Sequence, residues 1–347
     1  MNSKRLEKDF IELLSKDNSW IKKLNGKTIL VTGATGLIGS VLCKAILYYN
    51  VNFSGKINLL CGIRNNEKAA RVFGDFSEAQ FASLDVLKEV DIPEKIDYIV
   101  HTANTTSSLE YVNKPVETID TIVTGTKNLL ELARKKQVEK FVYLSSMETY
   151  GSPDARKEWI EETDSGYINT MSVRSSYSEG KRLAECMCAS YASEYKVNAV
   201  VARLAQVFGA GVSAEDNRVF MQLCRSAINK TDFVMRSDGS SSGNYCYTTD
   251  ALKAILMLLT DGKPGEAYNV VNEQNATTIR EMAEMVANDI AGGAFEVVYD
   301  IPDSDLKYGY APKVTMKLSS KKINALGWQA TVPLKEMYER TIEYIKE

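Results

Sequence analysis

The spacing of apolar residues changes character several times along the chain. Between residues 4 and 24, Leu6, Phe10, Leu13, Leu14 and Ile21 form a rough apolar stripe among charges. That spacing predicts an amphipathic helix, an extension that packs on the main body rather than an exposed leader. From residue 27 the pattern becomes short and continuous. Residues 27–32, 57–63, 98–101, 141–144 and 198–204 are apolar runs of the kind that make buried parallel strands. Longer helical patterns separate them, from 37 to about 49, over 116–136 and over 174–195. Strands alternating with helices predict an α/β fold, a Rossmann-type doubly wound parallel sheet with helices on both faces. After residue 205 the alternation loosens. Residues 206–243 and 273–347 are expected to form a smaller C-terminal, substrate-binding region over the carboxyl edge of the sheet, where open α/β sheets bind ligands. The expected division is therefore a helical extension over 1–25, a parallel-sheet domain over 26–205 and 244–272, and the C-terminal region.

Composition narrows the chemistry. With 42 Lys and Arg against 45 Asp and Glu in 347 residues, net charge is near −3, which argues against nucleic-acid binding driven by bulk charge. No apolar run reaches the roughly 18 residues of a membrane span. The opening MNSKRLEKDF carries charge where a secretory leader has an apolar core, so a cytoplasmic location is expected. Cys43, Cys61, Cys186, Cys188, Cys224 and Cys246 form no CxxC pair and read as reduced thiols. Cys186 and Cys188 lie two apart on a helix, on different faces. His101 is the single histidine, so no multi-histidine metal site exists and acid–base chemistry falls to Tyr, Glu, Asp or Lys.

Thr32-Gly33-Ala-Thr-Gly36-Leu-Ile-Gly39 joins the first strand to the first long helix. Gly33 suits a tight turn, Gly36 close approach of a pyrophosphate, and Gly39 close packing. The helix N-terminus offers free N–H groups and a positive dipole end to phosphates. A carboxylate that would hold the ribose of NAD is missing at the end of the second strand, which reads Leu60-Cys-Gly-Ile-Arg64. Arg64 suits a 2′-phosphate or an adenine face; a solvated loop charge is the other reading. Asp85 falls where the third strand ends and is expected near the adenine.

The 174–195 helix carries Tyr177-Ser-Glu-Gly-Lys181, with tyrosine and lysine on one face. An ammonium there is expected to lower the phenol from its usual value of about 10 toward neutrality. A phenolate can take a proton from a substrate hydroxyl while a hydride leaves the same carbon. Ser145-Ser146, at the end of the preceding strand, supplies a hydroxyl for the same oxygen.

These segments together resemble an extended short-chain dehydrogenase/reductase of the NAD-dependent epimerase/dehydratase family, which acts on nucleotide sugars. The resemblance runs from Lys27 to the C-terminus through TGATGLIG (32–39), HTAN (101–104), SSMETYG (145–151), YSEGK (177–181), Arg203 ahead of Gln206 and Gly209, Asp250 and GEAYNVVN (265–272). It implies bound NAD, with NADP as the alternative. The cofactor would meet Gly33, Thr35, Gly36, Leu37, Ile38, Arg64, Asp85, Val86, Thr102, Ala103, Tyr177 and Lys181. His101 would be positional. Ser146, Glu148, Tyr177 and Lys181 would be catalytic. The cofactor would oxidise the sugar, usually at C4, with Tyr177 as base and Ser146 polarising the oxygen, and commonly return its hydride. A nucleotide-diphosphate sugar is the implied substrate, and a homodimer through helices 116–136 and 174–195 the implied assembly.

Several positions bear on the second step. Glu148 resembles the glutamate of 4,6-dehydratases and UDP-glucuronate decarboxylases, but Met147 replaces the proton-donating Asp of the dehydratases. The stretch 173–182 is similar to that of the decarboxylases. Gly243 stands where they and many relatives have an arginine for the diphosphate, so either Arg218 or Arg236 takes that part, with Gln206 and Tyr245 also on the substrate, or the substrate is bound differently or is not a standard UDP-sugar. Gln206 and Ile122 each replace a usual asparagine. Tyr308 and Tyr310 are candidates for the sugar pocket, with packing as the other reading. Epimerisation is the main expectation and decarboxylation of a UDP-hexuronate the alternative. A non-catalytic NAD(P)-binding regulatory protein and an NADPH-dependent reductase of a small ketone are the readings from other classes.

Overall fold

The computed structural model describes residues 3–74, 76–104, 107–301 and 315–347. Tyr308 and Tyr310 lie outside them. Seven short strands form the central sheet: β1 (Thr28–Thr32), β2 (Asn58–Ile63), β3 (Gln80–Ser83), β4 (Tyr98–His101), β5 (Lys140–Ser146), β6 (Ala199–Leu204) and β7 (Ala267–Val270). Their order is β7-β6-β5-β4-β1-β2-β3, and every neighbouring pair is parallel. The expected doubly wound sheet is therefore present. The chain leaves β1 toward β2 and β3, then returns to β4 on the other side. That reversal opens a crevice at the carboxyl ends of β1 and β4.

Both faces of the sheet are covered, which is why its strands read as continuous apolar runs. Ile29, Val31, Val100 and Val142 face one core with α2 (Leu37–Asn52) and α6 (Thr248–Asp261). Leu30, Ile99, Phe141 and Tyr143 alternate with them and face a second core under α3 (Pro115–Lys136) and α4 (Ser175–Tyr195). Ile122 packs in the seam of these two helices, where a Cβ on Gly180 would lie 3.2 Å from its Cδ1. The asparagine expected at Ile122 from the resemblance is thus replaced by a packing residue.

The N-terminal extension is helical and packed, but not as one helix. α1 (Lys4–Ser15) buries Leu6, Phe10 and Leu14, and a separate turn of helix spans Ser19–Lys22. Asp17 interrupts the stripe: its carboxylate accepts from the Ser19 N–H at 2.9 Å, and short polar side chains of this kind compete with helical hydrogen bonds. Asp9 ties α1 to the far end of the chain. It is buried, accepts from the Tyr247 hydroxyl, and pairs with Arg5 and with Arg340 of α7 (Leu334–Ile345).

Beyond β6 a third core gathers Phe208, Phe220, Tyr245, Tyr247 and Tyr338 around α5 (Val219–Asn229). Short ladders join distant segments here: Gln206–Phe208 with Tyr245–Tyr247, Phe233–Met235 with Val297–Tyr299, and Ser242–Gly243 with Thr277–Thr278. Among the described residues no helix is long and apolar enough to cross a membrane.

Candidate active site

The turn after β1 is built by backbone contacts. Gly33 has φ +64°, and a Cβ there would lie 2.7 Å from the Ala103 Cα. A Cβ on Gly39 would lie 2.3 Å from the Gly33 carbonyl oxygen. The tight packing at Gly39 is thus against the turn itself. Thr102 closes the turn from β4 by donating to the Thr32 carbonyl at 2.7 Å. Gly36 differs: it is exposed, and a Cβ would meet only the Gly33 oxygen, at 3.3 Å. It caps α2 without a side-chain hydrogen bond, so Leu37, Ile38 and their neighbours keep free N–H groups behind a bare surface. This cradle fits a pyrophosphate. Thr35 sits half-buried in the same turn.

Arg64 is exposed at the end of β2. Asp85 is half-buried just past β3 and accepts from the Leu87 N–H at 3.1 Å. Val86 beside it is buried. These residues, with Thr102 and Ala103, follow the carboxyl ends of β2, β3 and β4. His101 sits beneath, fully buried, its Nδ1 2.8 Å from the Thr32 hydroxyl. Burial, and secondarily Lys181, push its pKa down to about 3, so the ring is neutral and its place is structural.

Tyr177, Ser146, Glu148 and Lys181 do converge. Ser146 ends β5 beside Tyr177, and its side chain acts to lower the Tyr177 pKa. The neighbouring Ser145 points elsewhere: it donates to Glu185, which Arg203 also grips at 2.7 Å. Arg203 in turn reaches Tyr150, so a buried polar network supports the floor of the site. The expected action of Lys181 is not what the geometry gives. Its Nζ donates to the Leu144 carbonyl at 2.6 Å and lies 5.6 Å from the Tyr177 ring centroid. Burial pulls that amine down to about 7, which weakens its field. Tyr177 is pushed up, to about 12, first by burial and then by the Glu148 carboxylate. Hydrogen bonds from Ser146 and Tyr111 and the charge of Arg174 act in the other direction.

Glu148 is not a loose acid. Arg174 grips both its oxygens, at 2.9 and 3.0 Å, and the Ser178 hydroxyl donates to it at 3.1 Å. A fork of this kind fixes where the carboxylate sits and which way it faces. Arg174 and Tyr111 are the residues that sequence reasoning missed. Arg174 lies inside the quoted 173–182 stretch without a role, and nothing local marks Tyr111.

The substrate-side expectations scatter. Gln206 and Tyr245 are register partners. The Tyr245 ring, however, is buried in the third core, edge-on to Phe208 at 6.0 Å, which corrects its assignment to the pocket: the strand alternates faces, and this position faces inward. Arg218 is gripped by Asp216 two residues away, and Arg236 pairs with Asp300. Gly243 opens toward Met147, whose Cε would be 3.6 Å from a Cβ there. The two departures from the family pattern are therefore neighbours.

Comparison with known proteins matches residues 29–271 to the NAD dependent epimerase/dehydratase family. The dTDP-D-glucose 4,6-dehydratase of Homo sapiens is 29% identical over 340 residues, covering 92% of this chain and 90% of that protein. UDP-glucuronic acid decarboxylase 1 of Danio rerio is 27% identical over 326 residues, covering 94% and 74%. Among solved structures, UDP-glucose 4-epimerase of Thermotoga maritima superposes with a TM-score of 0.78 at 23% identity, over 92% of this chain and 98% of that one. At that identity the likeness shows the shared fold.

Proposed function

This chain belongs to the NAD dependent epimerase/dehydratase family, and from that premise we propose that it is a nucleotide-sugar epimerase working through oxidation at C4. The observation that carries the reading is that Ser146 at the end of β5 faces the helix carrying Tyr177 and Lys181, with the Lys181 Nζ 5.6 Å from the Tyr177 ring centroid and the glycine turn two strands away after β1. NAD fits that turn, with its pyrophosphate over Gly36 and the free N–H groups of α2. Arg64 would meet the adenosine end, and it also suits the 2′-phosphate of NADP. NAD held there would supply a hydride acceptor for the sugar carbon and a donor to the opposite face of the resulting ketone.

The chain's own groups handle the proton. Ser146 donates to the sugar oxygen and Tyr177 removes its proton, then gives it back from the same oxygen. Lys181, buried below and anchored on Leu144, would hold the cofactor ribose with its remaining N–H groups. Met147 has no proton to give, which counts against loss of water across C5–C6. Decarboxylation of a UDP-hexuronate is the second reading. The Danio rerio relative and Glu148 favour it, and Gly243 in place of a cation disfavours it. Val116 and Ile119 on α3 and Leu183 on α4 are exposed apolar residues, and they support a homodimer through these helices. A monomer by light scattering at micromolar concentration would count against that assembly.

The reading is tested by incubating the protein and NAD⁺ with a panel of nucleotide sugars, UDP-glucuronate included, followed by mass-resolved chromatography. Epimerisation gives a new peak of unchanged mass. Loss of carbon dioxide from the uronate selects the second reading. Cofactor binding with every sugar unchanged would leave a binding protein, and net consumption of NADPH in a parallel incubation with NADPH and a small ketone would mean a reductase.

A further inference from the structure

Tyr177 shares its setting with a second phenol. Tyr111 lies in the short helix Ser108–Asn113, just before Pro115 opens α3, and is buried. Its ring lies flat on that of Tyr177, with centroids 4.2 Å apart and an interplanar angle of 13°. Its backbone is pinned, since the Ser176 hydroxyl donates to the Tyr111 carbonyl at 3.0 Å. The Arg174 guanidinium lies 4.8 Å from the Tyr111 ring centroid. Glu148 fixes that guanidinium through both oxygens. Three elements far apart in sequence thus form a layered stack ending on the base: Glu148, Arg174, Tyr111, Tyr177.

A phenolate in a desolvated site needs a partner. Among the described residues, the groups facing Tyr177 are Ser146 at the end of β5, Tyr143 within it, Glu148 in the turn that follows, Arg174 just before α4, Lys181 on α4, and Tyr111. Glu148 opposes the anion. Lys181 is directed at the Leu144 carbonyl. Ser146 is required by the substrate oxygen. Tyr111 brings a further hydroxyl to the face of that phenol and acts to lower its pKa, and a cation against the Tyr111 ring makes its O–H a stronger donor.

We propose that Tyr111 is a positioning residue for the base: its hydroxyl donates to the Tyr177 oxygen in the anionic state, with Arg174 polarising it and Glu148 holding Arg174 in place. This rests on the reading of Tyr177 as the base. Plain aromatic packing would need only the ring, so phenylalanine at 111 separates the two roles.

The test uses the NAD-saturated protein carrying tyrosine labelled with ¹³C at Cζ, followed by NMR as pH is raised. The resonance missing in Tyr177→Phe identifies Tyr177. Tyr111→Phe keeps the stack and is expected to raise the Tyr177 midpoint by about one pH unit, the size of one hydrogen bond to a charged group. The acid limb of turnover should move by the same amount, leaving KM unchanged and activity restored at high pH. Arg174→Lys should shift the midpoint in the same direction by less. A Tyr111→Phe protein with the wild-type midpoint and pH profile overturns the proposal. Turnover surviving in Tyr177→Phe would instead remove the base assignment, a separate failure read from a separate variant.

Discussion

At the turn after β1, a Cβ on Gly39 would lie 2.3 Å from a backbone oxygen; across the site, a Cβ on Gly243 would meet nothing nearer than the Met147 Cε at 3.6 Å. The cofactor edge is fixed by backbone against backbone, which leaves one residue type per position. The sugar edge is fixed by side chains that pair with one another: Arg218 with Asp216, Arg236 with Asp300, Arg174 with Glu148. Such pairs can be exchanged for others of similar shape. The first kind of edge stays recognisable between distant relatives, while the second is where substrate choice can change without disturbing the fold.

The largest effect is expected where the two edges meet. Tyr177→Phe should lower turnover by about 10²–10⁴-fold while cofactor affinity stays within twofold, measured by kinetics on the identified sugar and by cofactor titration. Loss of cofactor binding in that variant would mean that the phenol belongs to the cofactor edge alone.

Next comes Gly39→Ala. Displacing the backbone of the turn should cost about 3 kcal/mol in urea denaturation and weaken the cofactor, since the cradle shifts with it. A change below about 1 kcal/mol would break the contrast between the edges.

The pH dependence of stability sharpens it further. His101 is pushed down to about 3 from an ordinary value near 6.5, so the unfolded chain binds a proton that the folded one refuses. Its contribution is present above pH 6.5 and is lost as pH falls toward 3, on the order of a few kcal/mol in all. Melting temperatures between pH 7.5 and 4.5 should fall less steeply for His101→Gln than for the wild type. Equal slopes would locate the acid sensitivity elsewhere.

The smallest effect is expected at Gly243→Ala. The methyl group enters ordinary contact distance, so stability should change by less than about 0.5 kcal/mol. A large loss would show that the sugar edge is as backbone-limited as the cofactor edge.

The features legible in the sequence were those coded by short spacings. The strand runs, the GxxGxxG turn and the i,i+4 pair of Tyr177 and Lys181 all emerge where expected. The helix expected over 4–24 stops at Ser15, where the Asp17 carboxylate takes the Ser19 N–H, a choice that apolar periodicity does not see. The sign of the shift at Tyr177 was misjudged too. Sharing a helix face with Lys181 does not decide where the ammonium goes, and it goes to Leu144. Tyr245 looked like a pocket aromatic until its strand was seen to face the third core.

The sequence by itself determined the alternation of strands and helices up to residue 205, the glycine turn and the pairing of Tyr177 with Lys181 on one helix. Local backbone sterics and hydrogen-bonding rules act over a few residues and leave their mark in composition. Only the tertiary structure decided which charges are already spoken for and what surrounds the base. Arg174 reaches Glu148 across 26 residues, and Tyr111 reaches Tyr177 from another helix altogether. Contacts of that kind depend on how packed elements bring remote side chains together, and burial then sets the strength and sign of each interaction.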